Sequence, residues 1–358
     1  MIKKLIRKGI KDIPPYIPGE SKGNIAKAYG LSEADIVKLG SNENPLGPSK
    51  RVVDVIKKEA DRVNIYPDDV PGELHQKIAE YAGVDESQVI TGNGSDEVLD
   101  MVVKMFIEDG DEAVIPVPTF SMYHKLVELY GGSCSYAPLG ENFTFDIPTI
   151  LEQITDKTKL VFVCSPNNPT GGIISEVGLR KILNEDVIVV LDEAYAEFST
   201  VSFVNLIRDY DNMVVLRTFS KAFGLAGLRV GYGIASSDII EYMLRIRIPF
   251  SVNSLAQKAA IAALDDKEYL KKSIETVHDG RAFLIEELAK AGVKPYPSQA
   301  NFVFFEVPGK SEDVVKALQK RGIIVRDCSF AGLENHIRVT VGTPEENRKF
   351  LENFKEVI

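Results

Sequence analysis

The chain has 358 residues, 44% hydrophobic and 26% charged, the composition of an ordinary globular protein with length for a sizeable core and, as a starting expectation, two domains. Its formal net charge of -10 argues against a broad nucleic-acid-binding face, while leaving room for a local cationic pocket that holds a small anion. Cys134, Cys164 and Cys328 lie far apart without CxxC spacing, and the four histidines show no HxxxH or HExxH pattern, so neither a disulfide framework nor a metal site is expected.

The first residues, MIKKLIRKGIKDI, are basic and periodic but lack the continuous apolar core of a signal peptide; a short arm packing on the body or on a partner subunit is expected. No run reaches the length of a membrane-spanning helix, so no membrane partner and a cytoplasmic location are expected. Strand-length apolar runs then follow at 88–91, 112–117, 159–165, 187–193, 213–218 and 230–235, with helical patterns such as SDEVLDMVVKMF and FSMYHKLVELYG between most of them. That alternation predicts an α/β fold with a mostly parallel central sheet. After about residue 250 the texture changes. Two helical stretches, NSLAQKAAIAAL and KEYLKKSIETVHDGRAFLIEELAKAG, precede short strands (NFVFFEV, GIIVRD, HIRVTV) mixed with helices, which predicts a smaller α+β domain. The expected division is 1–40 as an arm and part of the small domain, 41–250 as the large domain and 251–358 as the small one.

Several segments carry chemistry. TFSKAFGLAGLRVGY places Lys221 just after a strand, beside Ser220 and eight residues before Arg229. A lysine there can form a Schiff base with an aldehyde cofactor while Ser220 and Arg229 hold its phosphate. VIVVLDEAY ends a buried strand on Asp192, with Tyr195 three residues later; a carboxylate at that end of a sheet can pair with a protonated pyridine nitrogen, as pyridoxal phosphate requires, or can simply cap a turn. In VITGNGSDEVLD a glycine turn opens a helix at Ser95 and Asp96, suited to one phosphate or to an ordinary N-cap. Glu97 stands where a dinucleotide fingerprint needs its third glycine. SPNNPTGG sets Asn168 before Pro169, a donor to a phenolic ring oxygen or part of a turn. Phe120 in PVPTFSMY can stack on a planar ring or sit in the core. Arg326 and Arg338, near the ends of two short strands, make an anion clamp plausible.

Together these segments resemble the fold-type I pyridoxal-phosphate aminotransferases, a large domain with a mostly parallel sheet plus a smaller α+β domain. Within that group the resemblance is to the histidinol-phosphate aminotransferase family. It runs over essentially the whole length, through PPYIPGESK, KLGSNENPLGPS, NIYPDD, GNGSDE, PTFSMY, SPNNPTG, DEAYAEF, TFSKAFGLAGLRVGY, QANFVFF and IRVTVGTPEEN. The resemblance implies pyridoxal 5'-phosphate as cofactor, with Lys221 as its lysine and proton shuttle and Asp192 on the ring nitrogen. It implies Asn168 and Tyr195 on the phenolic oxygen, and Ser95, Asp96, Ser220 and Arg229 around the phosphate. Tyr66 would reach the cofactor phosphate of the neighbouring subunit in a homodimer. Arg338 would bind the carboxylate of glutamate or 2-oxoglutarate; Arg338, Arg326 and Tyr16 would meet the phosphate of histidinol phosphate, with Asn42 on the substrate side. Relatives commonly carry tyrosine where this chain has Phe120, so stacking is kept and a hydroxyl is lost.

The rival readings are a threonine-phosphate decarboxylase-like enzyme, to which RDCSFAGL is not alien, and an aromatic or aspartate aminotransferase. A ligand-sensing protein on the same fold would carry a DNA-binding domain or lack Lys221, and neither is expected of this chain.

Overall fold

The computed structural model describes residues 2–15 and 18–358. The strand β1 (Val37–Lys38) is followed by seven that share one sheet: β2 (Val89–Gly92), β3 (Glu112–Val117), β4 (Ser133–Pro138), β5 (Thr158–Cys164), β6 (Ile188–Asp192), β7 (Met213–Thr218) and β8 (Gly231–Ile234). Their order is β2-β8-β7-β6-β5-β3-β4; β8 runs antiparallel to both neighbours and every other pairing is parallel. The continuous apolar runs of β5, β6 and β7 follow from burial on both faces. Val161, Val163, Val189 and Leu191 point into one core, and Phe162, Cys164 and Val190 into another on the opposite face. The sequence pattern missed β4. Its residues, SCSYAP, lie at the sheet's edge and are mostly part-exposed, so they carry no apolar run to detect.

Helices Ser254–Leu264 and Lys267–Lys290 lead to the second group of strands: β9 (Lys294–Pro295), β10 (Phe302–Glu306), β11 (Ile323–Ile324), β12 (Arg326–Asp327) and β13 (His336–Thr340). A four-stranded antiparallel sheet has the order β12-β13-β10-β9, while β11 pairs in parallel with β1. The run GIIVRD, expected as one strand, is therefore two. Its first half bonds to β1 and its second half to β13, so no single ladder covers it. These strands pack through Val303, Phe305, Ile337 and Val339 against Phe350 and Phe354. At the N-terminus, short helices Ile2–Leu5 and Lys8–Asp12 lead into a segment tied to the body. Arg7 donates to the Leu129 carbonyl at 2.7 Å, and Lys125 to the Pro14 carbonyl at 3.0 Å. Among the described residues no helix is long and apolar enough to cross a membrane.

Candidate active site

The carboxyl ends of the parallel strands converge on one cavity of about 320 Å³, where an open α/β sheet places its ligands. β6 ends on Asp192, β5 leads into Asn168, and β7 leads into Ser220 and Lys221. The turn after β2 brings Ser95 and Asp96, and β12 and β13 bring Arg326 and Arg338 across from the other half. Phe120, Tyr195, Arg229 and Asn42 complete the sequence-predicted residues that line it. Tyr66 does not: it is 80% exposed and stacks on Phe250 at 4.8 Å, outside the cavity wall. Tyr16 lies outside the described residues.

Lys221 is held from behind. The Asn44 amide donates to the carbonyls of Lys221 at 3.2 Å and Ala222 at 2.9 Å, and to the Ser273 hydroxyl at 2.8 Å. The Lys221 amine reaches the Ser41 carbonyl at 3.4 Å. Burial pushes its pKa down to about 8, and the Arg338 guanidinium adds to the effect. A lysine so placed divides between ammonium and free amine near neutrality.

Asp192 is buried, with the Tyr123 hydroxyl donating to one oxygen at 2.7 Å and the Ala194 N–H to the other at 3.0 Å. Burial raises its carboxyl to about 6, against the pull of those two hydrogen bonds. Both donors are neutral, so the carboxylate gains strongly from any cation brought against it. Cys164 lines the same wall, and burial pushes its thiol up to about 12, so it stays protonated.

The opposite edge is made of donors. Arg338 donates through Nη1 to Asn168 Oδ1 at 2.5 Å and through Nη2 to the Gly40 carbonyl at 2.9 Å. With its oxygen engaged, Asn168 keeps its amide N–H groups for the cavity. Tyr195 receives the Asn42 amide at 2.9 Å.

The end of the cavity at Ser95 and Arg229 has the form of an anion cradle. Helix Ser95–Phe106 starts after Gly94 at φ 83°, and its N-cap makes no side-chain hydrogen bond, so its first N–H groups are available. Arg229 lies over that turn, with Nη2 3.1 Å from Asp96 Oδ2. Backbones approach closely here. A Cβ on Gly231 would overlap the Ser95 nitrogen and stand 2.6 Å from the Gly94 carbonyl carbon, and one on Gly94 would stand 2.7 Å from Arg229 Nη2. The glycines keep a hollow that side chains would fill.

Sequence reasoning assigned no role to Tyr123, Asn44 or Thr340. Tyr123, in the first turn of helix Met122–Tyr130, lies three residues after Phe120, and their rings meet edge to face at 5.6 Å. Asn44 belongs to the SNENP segment quoted above, but nothing in that segment alone points it at Lys221.

The cavity thus offers an amine, a carboxylate wanting a cation, donors for an anionic oxygen, an anion cradle and an aromatic ring. Those features match a flat pyridine aldehyde carrying a phenolic oxygen and a phosphate. Known proteins agree with that chemistry. The aminotransferase class I and II family matches residues 34–354. The histidinol-phosphate aminotransferase of Methanocaldococcus jannaschii is 42% identical over 368 residues, covering 100% of this chain and 99% of that protein. The one from Methanosarcina mazei is 46% identical over 359 residues, covering 99% and 96%. Among solved structures, histidinol-phosphate aminotransferase from Sinorhizobium meliloti in complex with pyridoxal-5'-phosphate superposes with a TM-score of 0.90 at 27% identity, covering 98% of this chain and 97% of that one. Aspartate aminotransferase from Thermus thermophilus with maleate shares the fold, with a TM-score of 0.84 at 23% identity over 99% of both chains.

Proposed function

This chain belongs to the aminotransferase class I and II family, and on that premise we propose that it is a pyridoxal-phosphate-dependent histidinol-phosphate aminotransferase. It exchanges an amino group between histidinol phosphate and 2-oxoglutarate, giving imidazole-acetol phosphate and glutamate, and so serves histidine biosynthesis. The observation that carries the reading is the meeting of a part-neutral lysine, a cation-seeking carboxylate and three arginines in one cavity. The relatives named above carry the aminotransferase name along their whole length, which disfavours the decarboxylase alternative.

Pyridoxal phosphate, when bound, supplies an aldehyde carbon for amine capture and a conjugated ring that takes up electrons from the substrate's Cα–H bond. The residues present fit that group. Asp192 would hold the ring nitrogen protonated, Asn168 and Tyr195 would donate to the phenolic oxygen, and Phe120 would stack on the ring. Ser95, Asp96, Ser220 and Arg229 would surround the phosphate. Lys221, with its pKa near 8, accepts the Cα proton as free amine and gives it back as ammonium. The order of events is ping-pong, because the amino group stays behind when the first product leaves and the oxo acid then enters the same cavity. Arg338 grips the carboxylate of glutamate, and Arg326 with Arg338 the phosphate of histidinol phosphate; the two are register partners on neighbouring antiparallel strands.

We place Tyr66 at the cofactor phosphate of a second copy in a homodimer. Its surroundings support this: Val63, Ile65 and Ile248 are 62%, 57% and 64% exposed close to it in sequence or beside its stacking partner Phe250, an apolar surface of the kind subunits cover. The division at about residue 40 is supported by β1 pairing with β11 in the later half. Near residue 250 the packing supports a later boundary, because helix Ser254–Leu264 shares a core with Val52, Leu74 and strands β5 and β6 of the large sheet. A cytoplasmic location follows from the proposed biosynthetic role.

The test is a visible spectrum of the purified holoenzyme, recorded before and after adding histidinol phosphate without an oxo acid. Conversion to the aminated cofactor, reversed by 2-oxoglutarate, is expected. A holoenzyme that ignores histidinol phosphate while responding to other amines overturns the substrate. A protein that takes up no pyridoxal phosphate overturns the reading entirely.

A further inference from the structure

Asn42 is 1% exposed and sits at φ 54°, a left-handed conformation unusual for a residue other than glycine. Two residues from the far end of the chain hold it there. The Thr340 hydroxyl accepts from the Asn42 backbone N–H at 2.9 Å and donates to Asn42 Oδ1 at 3.1 Å. Asn301 donates to the Asn42 carbonyl at 3.0 Å.

These bonds settle which way the Asn42 amide points. With the amide reversed, the Thr340 hydroxyl would accept from both N–H groups of Asn42, and its own proton would have no acceptor among the described residues; with the side-chain oxygen toward Thr340, every group is satisfied. The amide nitrogen is then the end that faces Tyr195, and it donates to Tyr195 Oη at 2.9 Å. The phenol therefore spends acceptor capacity on Asn42 and keeps its own proton. Among the described residues the Asn42 contact is the one hydrogen bond recorded for that hydroxyl, and Tyr195 lines the cavity.

We propose that Thr340 is a positioning residue that works through Asn42 to make Tyr195 an obligate donor into the cavity. The inference rests on the reading of Tyr195 as a partner of the cofactor's phenolic oxygen. Thr340 and Arg338 are two apart on β13, so they project from one face of that strand. One strand therefore orients both cavity donors: Arg338 engages Asn168, and Thr340 engages Tyr195 by way of Asn42. If the Asn42 amide turned over, its oxygen would take the Tyr195 proton and the cavity would lose a donor.

The experiment follows the pH midpoint of the visible absorption band of the resting holoenzyme. A donor to the phenolic oxygen stabilises its negative charge most when the neighbouring imine is unprotonated, so it lowers that midpoint. Tyr195→Phe should raise it. Thr340→Val, close in shape but without the hydroxyl, should raise it by roughly half a unit, the worth of weakening one neutral hydrogen bond. Thr340→Ser should return it toward wild type. In the Tyr195→Phe background, Thr340→Val should add nothing, because the route to the cofactor is gone. A shift from Tyr195→Phe with none from Thr340→Val overturns the inference and keeps the proposed function. A Thr340→Val shift that persists without the Tyr195 hydroxyl also overturns it. No shift from Tyr195→Phe removes the reading of Tyr195 itself.

Discussion

Replacing Asp192 with Asn should stabilise the apoenzyme while harming it as a catalyst. In the folded chain burial raises this carboxyl from 3.8 to about 6. A shift of about 2 units corresponds to about 3 kcal/mol. The folded state binds the proton more tightly than the unfolded one, so folding is favoured by the neutral carboxyl. Below 3.8 both states are protonated and Asp192 carries no penalty. Between about pH 4 and 6 the unfolded carboxyl ionises first and the penalty grows; above 6 it is complete. Asparagine has the same shape and no charge. Its oxygen can keep the Ala194 N–H, and the Tyr123 hydroxyl can accept from its nitrogen. The expected gain is about 1–3 kcal/mol near pH 7.5, shrinking toward zero near pH 4. Urea denaturation of the apoenzyme at a series of pH values measures it. A variant no more stable than wild type at neutral pH, or a gain that does not change with pH, would refute the argument. The cofactor should reverse the order, because only the carboxylate can hold a protonated ring nitrogen.

Three further outcomes are expected. Gly231→Ala should weaken pyridoxal phosphate binding about tenfold or more, because its Cβ collides with the turn at Ser95, whereas Gly227→Ala meets open space and should bind normally; cofactor titration of the two apoenzymes separates them, and equal affinities would sink the cradle. Arg326→Gln should lower kcat/KM for histidinol phosphate by about 10- to 100-fold and affect the glutamate half-reaction far less; equal losses would remove its phosphate role. Glu193→Gln should cost about 3–5 kcal/mol, since it strips the charge that Arg217 faces at 2.7 Å in the core; a denaturation midpoint close to wild type would show that the pair is not needed.

Much of the site was readable from local pattern. A run such as VIVVLD announces a strand buried on both faces, and the residue at its carboxyl end is then placed by the geometry of an open sheet. Asp192, Asn168, Lys221 and the Ser95 turn all follow such runs and line one cavity, although the local pattern alone leaves a turn cap open for Asp192 and an N-cap for Ser95. The strands that carried weak or divided patterns were misread. Polar β4 went undetected, and GIIVRD changes partners midway.

Residue type and spacing along single segments therefore determined the fold class and the chemistry on offer, because burial period and strand ends are local properties. The orientation of each donor was decided only by tertiary structure. Thr340 meets Asn42 across 298 positions, Asn44 meets the Lys221 carbonyl across 177, and Arg338 meets Asn168 across 170. A hydrogen bond has a direction, and which way an amide or hydroxyl faces depends on partners that only folding brings within reach.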